Sequence, residues 1–327
     1  MITPSDPALR GLARLAERYH RWIIRRSGDV RAKPVNRDLR LRVAKVRREA
    51  EDVVSLRLTN GSPLPAWRPG AHLDLHLSSG LRRQYSLCGD PADRFSYRIA
   101  VRRIGAGSAE VHSLAEGDEV IVRGPRNAFP YAPANRSLFI AGGIGITPIL
   151  PMVRAATGNW RLIYCGRSRE SLPFLDEIAR LDPARVRIRT DDVDGVPDVT
   201  DLLGGFDGSV YLCGPAPMLD GIRRTHQGPL HFERFAPPPV VDGRPFEVEL
   251  SRSGDVLPVP ADASALSVIQ ARLPGVSYSC RQGFCGTCRV RVLGGEVEHR
   301  GGATFGHTED SMLICVSRGC GRIRLDL

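Results

Sequence analysis

The chain of 327 residues lacks any run approaching the ~20 consecutive apolar residues that a membrane-spanning helix requires. Its N-terminus lacks the apolar stretch and small-residue cleavage site of a secretory leader, so a soluble cytoplasmic protein is the expectation. Aromatics make up only 6% of the residues, and no basic run is interleaved with them as base stacking demands. Nucleic-acid binding is therefore not expected, although the formal net charge is +10. That charge is unevenly placed: Met1 to Asp38 holds nine Lys/Arg against four Asp/Glu, half of the total excess. The mildly basic remainder suits a protein that binds anionic cofactors. An apolar share of 42% with 25% charged residues is ordinary globular composition, and the length allows two or three domains.

Eight cysteines are present, and their distribution is informative. Cys88, Cys165 and Cys213 are isolated in apolar surroundings, whereas Cys280, Cys285, Cys288, Cys315 and Cys320 crowd into the last fifty residues. In a cytosolic protein such a cluster points to metal binding before disulfides. Cys280, Cys285 and Cys288 form a C-x4-C-x2-C run, and Cys315 follows after 26 intervening residues. This is the plant-type spacing for four thiolates holding a 2Fe-2S cluster. A four-cysteine zinc site is the alternative, but zinc ribbons use two C-x2-C knuckles and only one is present. Gly283 and Gly286 supply the tight turns and the amides aimed at sulfur that such a loop needs. Cys315 ends the apolar run Met312-Leu313-Ile314, a strand that would deliver it rigidly. Cys320, between Gly319 and Gly321, is expected in a turn and is assigned no ligand role.

The texture of the chain changes along its length. Residues 1–38 form a basic extension with one expected helix, whose Leu12, Leu15, Tyr19, Trp22 and Ile23 recur at helical spacing. Residues 39–131 carry short alternating segments separated by Gly and Pro, such as Val53–Leu58, Ala71–Leu77 and Tyr97–Val101, which indicate an antiparallel β-barrel. Residues 132–235 alternate apolar strands (Ser137–Ala141, Trp160–Tyr164, Ser209–Leu212) with helical stretches, the pattern of an α/β domain with a parallel sheet. Residues 236–244, opening with Ala236 and three prolines, form a stiff linker, and residues 245–327 a small α+β domain beginning with the strand Phe246–Leu250.

Two glycine-bearing loops lie at strand ends in the α/β segment. Gly142-Gly143-Ile144-Gly145-Ile146-Thr147 joins a strand to a helix, where glycines let backbone approach a pyrophosphate. Pro148 stands where the Rossmann fingerprint would have a third glycine or alanine. Cys213-Gly214-Pro215-Ala216-Pro217-Met218 follows a second apolar strand. In the barrel segment, Arg83-Gln84-Tyr85-Ser86 lies on a strand, and Gly105-Ala106-Gly107-Ser108 forms a small phosphate-cradling loop before a helix.

With these motifs the chain resembles the ferredoxin-reductase superfamily, whose flavin motif is Arg-x-Tyr-Ser. The resemblance implies that Arg83 pairs with the flavin phosphate, assisted by Gly107 and Ser108. It further implies that Tyr85 lies against the flavin and that Ser86 presents its hydroxyl near N5, where hydride arrives. Gly143, Gly145, Thr147, Gly214 and Pro215 would bind the nicotinamide dinucleotide, and Cys213 would sit beside its ring; Ser86 and Cys213 are the catalytic candidates. The order of flavin barrel, nicotinamide domain and C-terminal plant-type (β-grasp) ferredoxin is similar to the phthalate dioxygenase reductase family, which includes vanillate demethylase reductases. The likeness covers about Leu39 to Leu327; residues 1–38 are an addition to the family pattern.

Such proteins accept electrons from NADH on FMN and pass them singly through the cluster to a separate terminal oxygenase, commonly a Rieske non-haem iron enzyme. A haem-thiolate monooxygenase is the alternative partner, and a non-catalytic redox sensor the alternative from a different class. FAD stays open beside FMN. Arg167, in Gly166-Arg167-Ser168-Arg169, keeps NADPH open beside NADH because arginine suits a 2′-phosphate. A monomer is expected.

Overall fold

A computed structural model describes residues 38–235, 240–278, 281, 283, 286–300 and 310–327. The expected N-terminal helix, residues 236–239 of the linker, Cys280 and Cys285 lie outside the described residues. Strands β1 (Asp38–Ala50), β2 (Val53–Thr59), β3 (Ala71–His76), β4 (Arg82–Ser86), β5 (Tyr97–Arg102) and β6 (Glu119–Asn127) form one sheet, with helix α1 (Ala106–His112) inserted before β6. Their order is β4-β3-β6-β1-β2-β5, with every neighbouring pair antiparallel. Leu87, just after β4, bridges Ile99 on β5, so the sheet curls back on itself into the expected barrel. Alternation drives the curl: Leu41, Leu56, Leu73, Tyr97 and Val122 point inward and share one core.

The second sheet has the order β11-β10-β7-β8-β9 and is parallel throughout. Its strands are β7 (Arg136–Gly142), β8 (Asn159–Gly166), β9 (Val186–Thr190), β10 (Ser209–Cys213) and β11 (Leu230–Glu233). Between them run α2 (Ile146–Ala155), the one-turn α3 (Leu175–Ile178), α4 (Asp191–Asp194), α5 (Val199–Leu203) and α6 (Ala216–Thr225). Both faces are covered, which is why the strands are apolar at consecutive positions. Leu138 and Ile140 face one core with Leu219 and Ile222, while Phe139 and Ala141 face another with Ile149 and Tyr164. The latter core also contains Val53, Cys88, Ala100 and Phe129 of the barrel, so the two sheets are packed through shared apolar side chains.

A charged bridge reinforces that packing. Arg98 on β5 donates to both oxygens of Glu177 on α3, at 2.6 and 2.9 Å, and Arg154 on α2 joins the same carboxylate. Burial pushes the Glu177 carboxyl up, but hydrogen bonds and charge from Arg98 and Arg154 outweigh it and hold the group below its ordinary value.

The third sheet, β13-β12-β16-β14-β15, is mixed. It contains β12 (Phe246–Leu250), β13 (Val256–Val259), β14 (Arg289–Glu298), β15 (Ser311–Leu313) and β16 (Arg318–Leu325), packed beneath α7 (Ala265–Arg272). Strands β12 and β16 run parallel and the other pairs antiparallel. Ser264 caps α7 by accepting from the Ser267 amide, and Ala265, Leu266 and Ile269 bury its inner face. Arg318 is buried and donates to the carbonyls of Arg244, Pro260 and Ala263, tying the segment before β12 to the β13–α7 loop while stacking over Phe246.

Candidate functional site

Strand β4 brings Arg83, Tyr85 and Ser86 to one wall of a cavity of about 350 Å³, whose other walls include Val101, Arg102, Ile104 to Ser108, Ile144, Thr147 and Phe235. Arg83 lies across the start of α1. A Cβ on Gly107 would stand 2.8 Å from Arg83 Nε and 3.1 Å from its Cγ, so the glycine lets this arginine pack directly against the loop. The Ser108 hydroxyl accepts from the amides of Ile104 and Gly105 and donates to the Gly105 carbonyl; it is spent on fixing the loop. A guanidinium beside glycine-bearing backbone at the start of a helix is a donor set suited to a phosphate group. Burial pushes the Tyr85 phenol up to about 12, opposed by the Arg83 charge, so the ring stays neutral at the pH of the cell.

The glycine loops after β7 and β10 open a larger groove, of about 750 Å³, at the carboxyl ends of the parallel strands. Gly142 to Gly145, Gly214 to Met218, Gly166, Arg167 and Asp191 line it. The two loops touch. A Cβ on Gly145 would lie 2.1 Å from the Cys213 carbonyl oxygen and 3.2 Å from its Sγ, so close approach of backbone rather than an unusual torsion demands glycine there. Thr147 donates to the Ile144 carbonyl at 3.0 Å and secures the turn into α2. Arg167 is exposed at the rim, and its charge, after burial as the larger cause, helps to lower the pKa of Arg102.

Cavity and groove share Arg102, Ile104, Ile144 and Phe235 as walls. Behind the Ser86 wall of the smaller cavity, three strands bring Ser86, Cys213 and Glu233 together. Ser86 Oγ is 3.4 Å from Glu233 Oε2, and Cys213 stands opposite Glu233 in the β10–β11 register. Burial raises the Glu233 carboxyl to about 8, with the Ser86 hydrogen bond opposing, so it holds its proton near neutral pH. Burial, reinforced by the Glu233 charge, pushes the Cys213 thiol well above its ordinary value and makes it an uncharged neighbour rather than a nucleophile. Sequence reasoning placed Ser86 and Cys213 here and missed Glu233, Arg102 and Phe235. The available signal for Glu233 was positional, since it ends the strand beside the one that Cys213 ends.

In the third sheet, Cys288 and Cys315 are buried with their sulfurs 3.0 Å apart. Cys288 precedes β14; the strand expected over Met312–Ile314 ends at Leu313, and Cys315 lies in the turn that follows. Two thiols facing each other in an apolar core fit half of a cluster's ligand set; Cys280 and Cys285 lie outside the described residues. Cys320 departs from its expected turn. It is an exposed residue within β16, paired across the ladder with Glu296.

Residues 248–320 match the family model described as a 2Fe-2S iron-sulfur cluster binding domain. A putative toluene-4-sulfonate monooxygenase system reductase subunit of Comamonas testosteroni is 39% identical over 315 residues, covering 89% of this chain and 99% of that protein. The phthalate dioxygenase reductase of Burkholderia cepacia is 36% identical over 304 residues, covering 86% and 94% respectively. A solved structure of phthalate dioxygenase reductase, described as modular for electron transfer from pyridine nucleotides to [2Fe-2S], superposes with a TM-score of 0.68 at 34% identity. It covers 89% of this chain and 98% of its own.

Proposed function

The chain belongs to the phthalate dioxygenase reductase and vanillate demethylase reductase family, and we propose that it draws electrons from NADH on FMN and delivers them singly to a Rieske non-haem iron oxygenase. It is an NAD(P)H-dependent oxidoreductase, the reductase component of an oxygenase system, with a flavin and a 2Fe-2S cluster. When bound, the three groups supply a two-electron donor, a carrier that takes electrons in pairs and gives them up singly, and a one-electron outlet. One observation carries the proposal: the flavin cavity and the dinucleotide groove open onto each other through the shared walls Arg102, Ile104, Ile144 and Phe235.

Arg83 and the amides of the Gly105–Ser108 loop hold the phosphate, and Ser86 turns its hydroxyl toward the reacting edge. Cys213 and the Gly143, Gly145, Gly214 and Pro215 backbone shape the nicotinamide pocket, with Thr147 securing the turn. Phe235, half exposed and lining both spaces, covers the ring and keeps water out. Cys280, Cys285, Cys288 and Cys315 hold the cluster. A cradle with one guanidinium and a cavity of about 350 Å³ supports FMN over FAD. The Asp191 carboxylate in the groove supports NADH, since it repels a 2′-phosphate and accepts from a ribose hydroxyl. Chromatography of the released flavin and kcat/KM for NADH against NADPH test these assignments. The reading predicts FMN and a preference for NADH; FAD, or a preference for NADPH, would contradict the corresponding part.

A further inference from the structure

Tyr278 belongs to the core of the third sheet, yet the barrel grips it at both ends. Its phenol donates to the Arg82 carbonyl on β4 at 3.2 Å, and Arg126 Nη2 on β6 makes a long contact of 3.5 Å with its main-chain carbonyl. The ring is buried and lies beneath the Arg281 guanidinium, 4.3 Å from the ring centroid. The Arg82 carbonyl also accepts from Arg83 Nη1 at 2.8 Å, so the phenol and the arginine that reaches the flavin phosphate share one acceptor. Arg126 is itself held by Asp74, whose other oxygen accepts from Gln84 at 2.9 Å, one residue beyond Arg83. Asp74 and Arg126 thus link the flavin-bearing strand to Tyr278, which stands two residues before Cys280 in the chain.

We propose that Tyr278, clamped by Arg126 and the Arg82 carbonyl, is the positioning residue that fixes the entry to the cluster loop against the flavin strand and so sets the rate of flavin-to-cluster electron transfer. The proposal rests on the functional reading above. The step it governs moves one electron, oxidising the flavin by one and reducing the cluster by one, with no heavy-atom bond made or broken. Tunnelling falls steeply with distance, so the loop's placement matters more than its mere attachment. The clamp uses directional contacts at both ends of one residue. Neither Tyr278 nor Arg126 lines the flavin cavity or the dinucleotide groove, so the hydride end does not depend on them.

The test uses the full-length holoprotein with Arg126→Ala and Tyr278→Phe. Stopped-flow absorbance after mixing with NADH separates flavin bleaching from cluster bleaching, and hydrogen exchange reports the clamp without turnover. The expected result is an unchanged flavin phase, a cluster phase slowed about tenfold in Arg126→Ala and less in Tyr278→Phe, and an unchanged cluster EPR signal. Exchange should rise in both variants at β4 and in residues 273–278. Normal phases in the wild type with an unaltered cluster phase in both variants would overturn the clamp alone. A wild-type protein whose cluster bands never follow its flavin bands would overturn the functional reading, and the clamp with it.

Discussion

Ser86, Cys213 and Glu233 come from three strands in two sheets and meet only because the barrel and the parallel sheet share a core. Cys280, Cys285 and Cys288, by contrast, fall within nine consecutive residues, with Cys315 added by one β-strand and its turn. The first centre is assembled by tertiary packing and the second largely by local chain geometry. A distributed site tolerates loss of one polar group but not a shift of its walls; a local ligand set loses its cofactor when one thiolate is removed.

The largest effect expected from this contrast is at the cluster. Cys288→Ser or Cys315→Ser should abolish the 2Fe-2S absorbance and drop cytochrome c reduction to background, while NADH-driven ferricyanide reduction through the flavin persists. Cys320→Ser, on the exposed face of β16, should leave the iron content unchanged. Iron lost from Cys320→Ser but kept in Cys315→Ser would reverse the ligand assignment.

Moving the walls of the hydride end comes next. Gly145→Ala forces a methyl into the Cys213 backbone and should cost about 1–3 kcal/mol in denaturant unfolding. It should also weaken NADH binding, so that activity toward ferricyanide and cytochrome c falls in parallel. Removing one polar group there should be milder: Ser86→Ala is expected to slow flavin reduction about tenfold with flavin content intact. An equal loss with either electron acceptor distinguishes both variants from those at the cluster.

The smallest effects concern protons. Glu233 has a folded value of about 8 against an ordinary 4.5, so the unfolded chain ionises first as pH rises. Its contribution to stability therefore declines between about pH 4.5 and 8, and Glu233→Gln should flatten that slope in chemical denaturation. Glu177 is the opposite case. Its folded value is depressed, so its stabilisation is present above the ordinary value of 4.5 and fades as pH falls through the folded value. Glu177→Ala should cost about 2 kcal/mol at neutral pH, with the difference from wild type shrinking in acid.

The same contrast explains what the sequence disclosed. Alternation in Val53–Leu58 and Tyr97–Val101 and the apolar runs of Ser137–Ala141 and Ser209–Leu212 carry the architecture, because strand burial is written in adjacent residues. The C-x4-C-x2-C run announces its chemistry for the same reason. Glu233 does not, since an acid in His231-Phe232-Glu233-Arg234 gains its raised value only from the pairing of β11 with β10 and the approach of Ser86 from another sheet. Arg102 and Phe235 were equally silent, being wall residues shared by two cavities from distant parts of the chain. Cys320 was misjudged from its flanking glycines, which β16 accommodates within a strand, with Gly321 at φ +76.

Rapid mixing of the anaerobic holoprotein with NADH, followed at the flavin and iron–sulfur bands, tests most directly the claim that one distributed centre takes electrons in pairs and one local centre releases them singly. The account predicts flavin bleaching first, then cluster bleaching, with one electron per cluster by EPR integration. Cluster reduction without a preceding flavin phase, or flavin reduction that never reaches the cluster, would contradict it.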